Sequence, residues 1–334
     1  MINNVFWAIA LSSICSVSAM SQHRSFDQFN FVKADSIAGI YPRHSLEDLS
    51  LLSKKLTSSL NSDPEKFRAI FKWVCLNITN DYYLYTTNKK KREELSGEQL
   101  RAWNKSFGTE VFKQLKSTYS TVCTGYAYLV TELSLRAGLS CETIDGYGRT
   151  AVSNIGGRGI PNHSWNAVRL DGQWYLADAT WASGAIDQQQ RAFVQQYNDT
   201  YFLTDPKQFI RNHYPLDVSR TFLETYPTLS EFLNGPLIYV NAIRQQIEPV
   251  DPPTFNISLK KGEDKQFIFR SPSKLKDELL LFIDQRRSMN HAVIGESADG
   301  YQYSITTSFK QRGTHAVHLV CNDQYLVSYQ IYVE

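Results

Sequence analysis

The apolar positions of the chain change period several times, and each change marks an element. From residue 63, Phe67, Ile70, Phe71, Val74, Cys75 and Ile78 recur at spacings of three and four. That spacing puts them on one face of a helix. Asp63-Pro64-Glu65 supplies the start: an acid at the N-cap, proline at the first helical position and a second acid in the first turn. Residues 26–60 read as a helical lead-in. Residues 86–107 are polar and charged and read as an elaborated surface segment. A second helix carries Val111, Phe112 and Leu115. A third begins near Thr121, buries Tyr126, Val130, Leu133 and Ala137, and stops at Gly138, a residue suited to a helix C-terminus.

Strands follow. Residues 141–147 are short and apolar-rich. Residues 164–170 and 173–178 flank Asp171-Gly172, a dipeptide typical of two-residue hairpins. Residues 193–232 mix short helices and turns, and Pro249, Pro252 and Pro253 mark a linker. Beyond it the period becomes two: Phe255, Ile257 and Leu259; Tyr301, Tyr303 and Ile305; Tyr325, Val327, Tyr329, Ile331 and Val333. Short strands separated by turns predict a small antiparallel sandwich of immunoglobulin-like kind. The expected class is α+β. Helices pack on an antiparallel sheet over residues 26–248, with a core at about 63–232, and an all-β accessory domain fills 251–334.

The 334 residues suit about two domains of ordinary size. A net charge of +2 excludes the strongly basic face of a nucleic-acid binder. The one basic run, Lys89-Lys90-Lys91-Arg92, is followed by Glu93 and Glu94 and reads as a solvated loop or helix start. Residues 5–17 are mostly apolar but too short to span a membrane, which takes ~20 apolar residues. Val17-Ser18-Ala19 resembles a cleavage site, so residues 1–19 are expected to be a signal peptide of a secreted or periplasmic protein. Leu11-Ser12-Ser13-Ile14-Cys15 approaches a lipoprotein box, but Ile14 is bulky where a small residue belongs, so no lipid anchor is expected. No later stretch reads as a membrane span.

The remaining cysteines, Cys75, Cys123, Cys141 and Cys321, are too few and scattered for a disulfide framework. No C-x-x-C pair suggests zinc, and neither a metal nor an organic cofactor is expected. Cys123 stands apart because it falls in the first turn of a helix. Unpaired N–H groups and the helix dipole there favour the thiolate, the nucleophilic form. Gly125 is expected to keep bulk away from the approach to the sulfur.

The hairpin supplies the thiol with partners. A two-residue turn pairs Leu170 with Gln173, so position 178 falls opposite 165, and His163 lies two residues along on the same face. His163 and Asp178 become diagonal neighbours. An aspartate there accepts an imidazole N–H and fixes the tautomer, leaving the other nitrogen for a thiol. Taken singly, His163 also reads as a structural or exposed histidine, and Asp178 as a turn cap. Asn166 points to the opposite face and reads as structural. Trp165, Trp174 and Trp181 cluster near the hairpin as core, and Trp165 and Trp181 are also candidates for lining a substrate groove.

Three blocks carry a family resemblance: Val122-Cys123-Thr124-Gly125-Tyr126-Ala127, Asn162-His163-Ser164-Trp165-Asn166-Ala167-Val168, and Trp174-Tyr175-Leu176-Ala177-Asp178-Ala179-Thr180-Trp181. Together they resemble the transglutaminase-like superfamily, of papain-like fold, and within it the kyphoscoliosis-peptidase type. Trp73 and Asn212-His213-Tyr214-Pro215 also look familial, so the resemblance covers roughly residues 63–232. It implies Cys123 as nucleophile, His163 as proton carrier and Asp178 as the group that orients it. The N–H of Cys123 would serve the oxyanion hole. The family often has glycine two residues before the cysteine, where this chain has Thr121; Thr121 and Gly125 are therefore candidates for shaping that hole.

The implied function is an exported cysteine peptidase or amidase that acts on protein or peptide amides through a thioester. The alternatives are a protein-crosslinking transglutaminase, an inactive scaffolding or binding protein of the same fold, and a surface-attached assembly module whose sandwich binds a protein partner. No nucleic-acid partner is implied. Cys75 and Cys141 face one core and could form a disulfide, whereas Cys123 must stay free. Asn77, Asn162, Asn198 and Asn256 head glycosylation sequons read as chance, because a glycan on Asn162 would crowd His163. His291, His315 and His318 have no cysteine or spaced acid in sequence, so no catalytic group is expected after residue 251.

Overall fold

The computed structural model describes residue 26, residues 29–297 and residues 299–334. The expected signal peptide and Cys15 lie outside the described residues. Helices α1 (Val32–Ile40) and α2 (Leu49–Thr57) pack on α3 (Asp63–Asn77). The apolar face read for α3 is fully buried, from Phe67 and Ile70 through Cys75 to Ile78. Its cap is Ser62 and not Asp63. The Ser62 N–H and hydroxyl both donate to Glu65, at 3.2 and 2.7 Å. Asp63 takes an ion pair from Lys66 at 3.0 Å instead.

Next come β1 (Thr79–Asn80), α4 (Tyr82–Glu94), α5 (Gly97–Thr118) and β2 (Ser120–Thr121). The polar stretch read as surface is therefore mostly helical. No residue of α4 is fully buried; Leu84 and Tyr85 pack in part against Phe107, Val111 and Val122. Pairs one turn apart, Lys89 with Glu93 and Lys90 with Glu94, add support. On α5, Phe107, Val111 and Leu115 are buried at spacings of four. β1 and β2 pair in parallel, Asn80 with Thr121, and close the base of this helical excursion.

The chain then enters α6 (Cys123–Arg136), which ends as expected at Gly138 with φ of +80°. β3 (Ser140–Gly148), β4 (His163–Leu170) and β5 (Gln173–Ala177) follow, then α7 (Ala179–Ser183) and the hairpin of β6 (Gly184–Asp187) with β7 (Ala192–Gln195). After α8 (Pro206–Phe209), β8 (His213–Pro215) completes an antiparallel sheet of order β5-β4-β3-β8. The β4–β5 register runs from Leu170 opposite Gln173 to Asn166 opposite Ala177. Asp171 and Gly172 have φ of +50° and +84°, the left-handed pair that this tight turn requires. α6 lies on the Asn166 face, where the Asn166 amide donates to Ala127 O at 3.0 Å and Thr131 Oγ1 at 2.9 Å. Helices and sheet share one core that includes Trp73, Tyr126, Trp165 and Tyr175.

A second apolar core forms beyond α9 (Leu229–Asn234), β9 (Leu237–Ile238) and α10 (Val240–Arg244). Its strands are β10 (Glu248–Asp251), β11 (Asn256–Leu259), β12 (Asp264–Ser271), β13 (Leu279–Ile283), β14 (Arg286–Arg287), β15 (Val293–Ser297), β16 (Gly300–Ser308), β17 (Gly313–Cys321) and β18 (Gln324–Val333). One sheet has the order β10-β12-β16-β15. The other has β11-β18-β17-β13-β14, with β9 also on β18. Phe267, Phe269, Leu281, Ile305 and Tyr329 are buried in this core. The sandwich is not wholly antiparallel, because β11 runs parallel to β18.

Two details depart from the sequence pattern. Strand pairing starts within the proline-marked stretch: Pro249 lies in β10, an edge strand, where a missing N–H costs no ladder bond. Tyr325 is 44% exposed, whereas Leu326 is buried. The β17–β18 register slips at Leu319/Val320, and this bulge turns the alternation over at the strand's beginning. No helix among the described residues is long and apolar enough to cross a membrane.

Arg149, just after β3, is a buried cation without an ion-pair partner among the described residues. Burial pushes its pKa down to about 10. Its guanidinium donates to the carbonyls of Asn154 (3.2 Å), Pro236 (2.7 Å) and Gly235. Arg149→Met should strand those acceptors and destabilise the chain by roughly 2–4 kcal/mol. Urea unfolding checks this; an unchanged midpoint would show that the carbonyls find other donors.

Candidate active site

Cys123 is the first residue of α6, after Val122 in extended conformation. The half-buried sulfur lies 3.9 Å from the Asn162 carbonyl. Burial works against the thiolate. The His163 ring and the Ser164 N–H outweigh it, and the thiol pKa is lowered from its ordinary value. The adjacent glycine serves a neighbour other than the one expected. A Cβ on Gly125 would lie 2.0 Å from Thr121 Oγ1 and 2.8 Å from Thr121 Cβ. Gly125 is small because Thr121 fills that space. Gly125→Ala should therefore cost roughly 1–3 kcal/mol, the usual range for overpacking. Adding Thr121→Gly should return most of it in thermal melts, and equal stability of the single and double variants would refute the contact.

His163 opens β4 and Asp178 follows β5, and the hairpin register brings them together. His163 Nε2 lies 2.7 Å from Asp178 Oδ2, with both side chains buried. That leaves Nδ1 for the sulfur. The two sequence readings of Asp178 both hold, one on each oxygen. Oδ1 caps α7, accepting the N–H groups of Thr180 (2.8 Å) and Trp181 (3.2 Å), while Oδ2 takes the imidazole. Burial alone would raise the Asp178 pKa, but His163 and His213 hold it well below the usual carboxylate range. Burial would lower that of His163, yet Asp178 and Cys123 push it up to about 10. The arrangement favours a thiolate–imidazolium pair backed by a carboxylate.

The tryptophans separate by role. Trp181 stacks on His163 with ring centroids 4.7 Å apart and shields the His–Asp contact. Trp165 is 1% exposed and packs on Phe209 and His213, so it lines core and not a groove. Trp174 stacks on Phe222. Cys75 and Cys141 are free, buried thiols whose pKa values burial raises, that of Cys141 to about 12. Cys75 donates to the Ala179 carbonyl at 3.4 Å, so the two thiols share a core without a bond. In the sandwich, His291 and His315 do have acids, Glu278 and Asp284, each at 2.6 Å. These come from distant stretches that linear spacing does not connect.

One residue of the site had no assigned role in sequence. His213 Nε2 lies 3.1 Å from the same Asp178 Oδ2. β8 brings it there by pairing Gly148 with His213 across β3. Its only sequence signal was the Asn212-His213-Tyr214-Pro215 block. His163, Asp178 and His213 hold possible ligand atoms within 4.8 Å of one another. A cation there would displace the hydrogen bonds that Oδ2 takes from both rings.

With this geometry in view, comparison with known proteins shows what the chain is similar to. Residues 51–179 match the model of the transglutaminase-like superfamily. Among individual relatives it is similar to the kyphoscoliosis peptidase of Mus musculus, at 33% identity over 189 residues, covering 56% of this chain and 26% of the relative. It is 27% identical to hillarin of Drosophila melanogaster over 227 residues, covering 64% of this chain and 25% of that protein. The chain thus spans about a quarter of the length of these curated relatives. A crystal structure of a TGase aligns with a TM-score of 0.29 at 18% identity, covering 55% of this chain and 40% of the other.

Proposed function

We propose that this chain is an exported cysteine acyl-transfer enzyme that hydrolyses amide bonds of proteins or peptides through a thioester on Cys123. The observation that carries this reading is the buried 2.7 Å His163–Asp178 contact beside a thiol of lowered pKa. In the first half-reaction the Cys123 thiolate attacks the carbonyl carbon, and the carbonyl electron pair moves to oxygen. The N–H of Cys123, at the open end of α6, stabilises that oxyanion. His163 gives its proton to the leaving nitrogen, the C–N bond breaks, and a thioester remains. Water then adds to the thioester while His163 takes its proton. The C–S bond breaks, releasing the acid and restoring the ion pair. Asp178 orients His163 and stabilises its cation throughout.

Water is favoured as acceptor because no lysine-binding feature is visible in the sequence, and the name peptidase borne by the mouse relative supports the same choice. Export rests on the apolar stretch and small-residue site within residues 5–19. The test is incubation with a peptide library, with and without a biotin-tagged primary amine, followed by mass spectrometry. New peptide termini in both arms support hydrolysis. Amine incorporation would replace it with cross-linking, and no product at all from a protein whose Cys123 resists alkylation would leave a scaffold.

A further inference from the structure

His213 is buried to 1% exposure, and no step of the proposed chemistry uses it. Its ring is clamped between Phe209, with centroids 4.0 Å apart, and Trp181, at 4.3 Å. Trp165 and Tyr201 stand at 5.1 and 5.4 Å. This aromatic box leaves the ring little freedom to tilt. Its Nε2 meets Asp178 Oδ2 at 3.1 Å, and its Nδ1 meets the Asn212 amide oxygen, Oδ1, at 2.7 Å. Asn212 in turn contacts the Tyr201 hydroxyl at 2.7 Å.

We propose that His213 is a positioning residue for the reaction: its Nε2–H shares Asp178 Oδ2 with His163 and so fixes the carboxylate that orients the proton carrier. This rests on the reading of Cys123, His163 and Asp178 given above. An Nε2 facing a carboxylate must carry a hydrogen. With it, Asp178 holds four donors: two backbone N–H groups on Oδ1 and two imidazoles on Oδ2. The carboxylate plane is then fixed from both sides.

The second donor also limits the charge that His163 feels. An aspartate serving one imidazole alone would place its whole hydrogen-bonding capacity at Oδ2 on His163. Sharing Oδ2 weakens that grip. Burial favours the neutral ring at His213, pushing its pKa down to about 4. In that form Nδ1 needs a donor. The network closes for this tautomer with the Asn212 amide turned end for end from the orientation drawn, its N–H to Nδ1 and its oxygen to the Tyr201 hydroxyl, an exchange that leaves the heavy-atom positions unchanged. The other titratable groups in the field of Asp178 are the Cys123, Cys75, Tyr126 and Tyr201 side chains, and Arg211 faces Tyr201.

The decisive experiment titrates His163 by ring 15N shifts in the full chain carrying Cys123→Ala, which needs no activity. His213→Phe keeps the stacked shape without the donor and should raise the His163 pKa by roughly one unit. His213→Gln, whose amide nitrogen takes the place of Nε2, should bring it back. A Phe variant that titrates like its parent would overturn the proposal, as would Phe and Gln variants that shift together. The parent protein gives a readout that needs no His213 variant: His213 should show a hydrogen on Nε2, and a ring protonated only on Nδ1 would overturn the proposal too. With Cys123 intact, the pH profile of iodoacetamide labelling tests the function itself. An ordinary thiol profile there would sink that reading while the His163 titration still decides the role of His213.

Discussion

Cys123→Ala removes covalent labelling at position 123 and lowers amide turnover by roughly 10⁴-fold or more, the scale on which loss of a nucleophile acts. Little stability should go with it, because the side chain is half-buried at a helix start and packs no core. The result is clean because Cys75, Cys141 and Cys321 are buried thiols with raised pKa values that resist alkylation in the folded chain. Intact mass of the chain from residue 20 on, which lacks Cys15, should after iodoacetamide without reductant show one adduct on the parent and none on the variant. Retained turnover in the variant would move the nucleophile elsewhere, and a parent that takes no label would remove the enzyme altogether.

His163→Ala changes the pH profile of that labelling. With His163 present the thiol titrates below its ordinary range, so the rate should fall less between pH 8 and 6 than that of an ordinary thiol. Without it, burial is left pushing the Cys123 thiol up, and the rate should fall roughly 50–100-fold over the same interval. Identical profiles would rule out the ion pair. The same groups set a stability signature. The folded-state pKa of His163 is raised to about 10, so its contribution is full below its unfolded value and is lost as pH rises through about 10. That of Asp178 is depressed, so its contribution is present above its unfolded value and is lost as pH falls into the acid range. His163→Ala should flatten both limbs, which urea midpoints across pH can follow.

Much of this site was legible because its elements are local. Asp171-Gly172 admits a turn that few other dipeptides adopt. Once that turn is set, the register carries His163 to Asp178 with no further information. α6 was legible from its apolar spacing and its terminal glycine. What escaped was non-local or solvated. α4 tucks in Leu84 and Tyr85 only in part and buries no residue fully, so no periodicity betrays it. Gly125 could be explained only once the side chain of Thr121, four residues earlier, had been placed against it. His213 lies 35 positions beyond Asp178, and only the pairing of β8 on β3 brings it back. The reversed phase at Tyr325 needed a bulge, which a strict alternation rule cannot anticipate.

The short parallel pair of β1 with β2 has a practical consequence. It clasps the two ends of the α4–α5 excursion at Thr79–Asn80 and Ser120–Thr121, directly before Cys123. The thiol follows the clasp closely in sequence, and the excursion docks back on the domain through Val111 against Val122 and through Arg92 and Lys89, which donate to the carbonyls of Pro161 and Val152. Lengthening such a loop is thermodynamically mild, at about 0.6 kcal/mol per doubling. The turn between α4 and α5 at Leu95-Ser96-Gly97, where Ser96 is exposed, is therefore a natural port for grafting a fluorescent reporter or affinity handle without re-laying the catalytic helix.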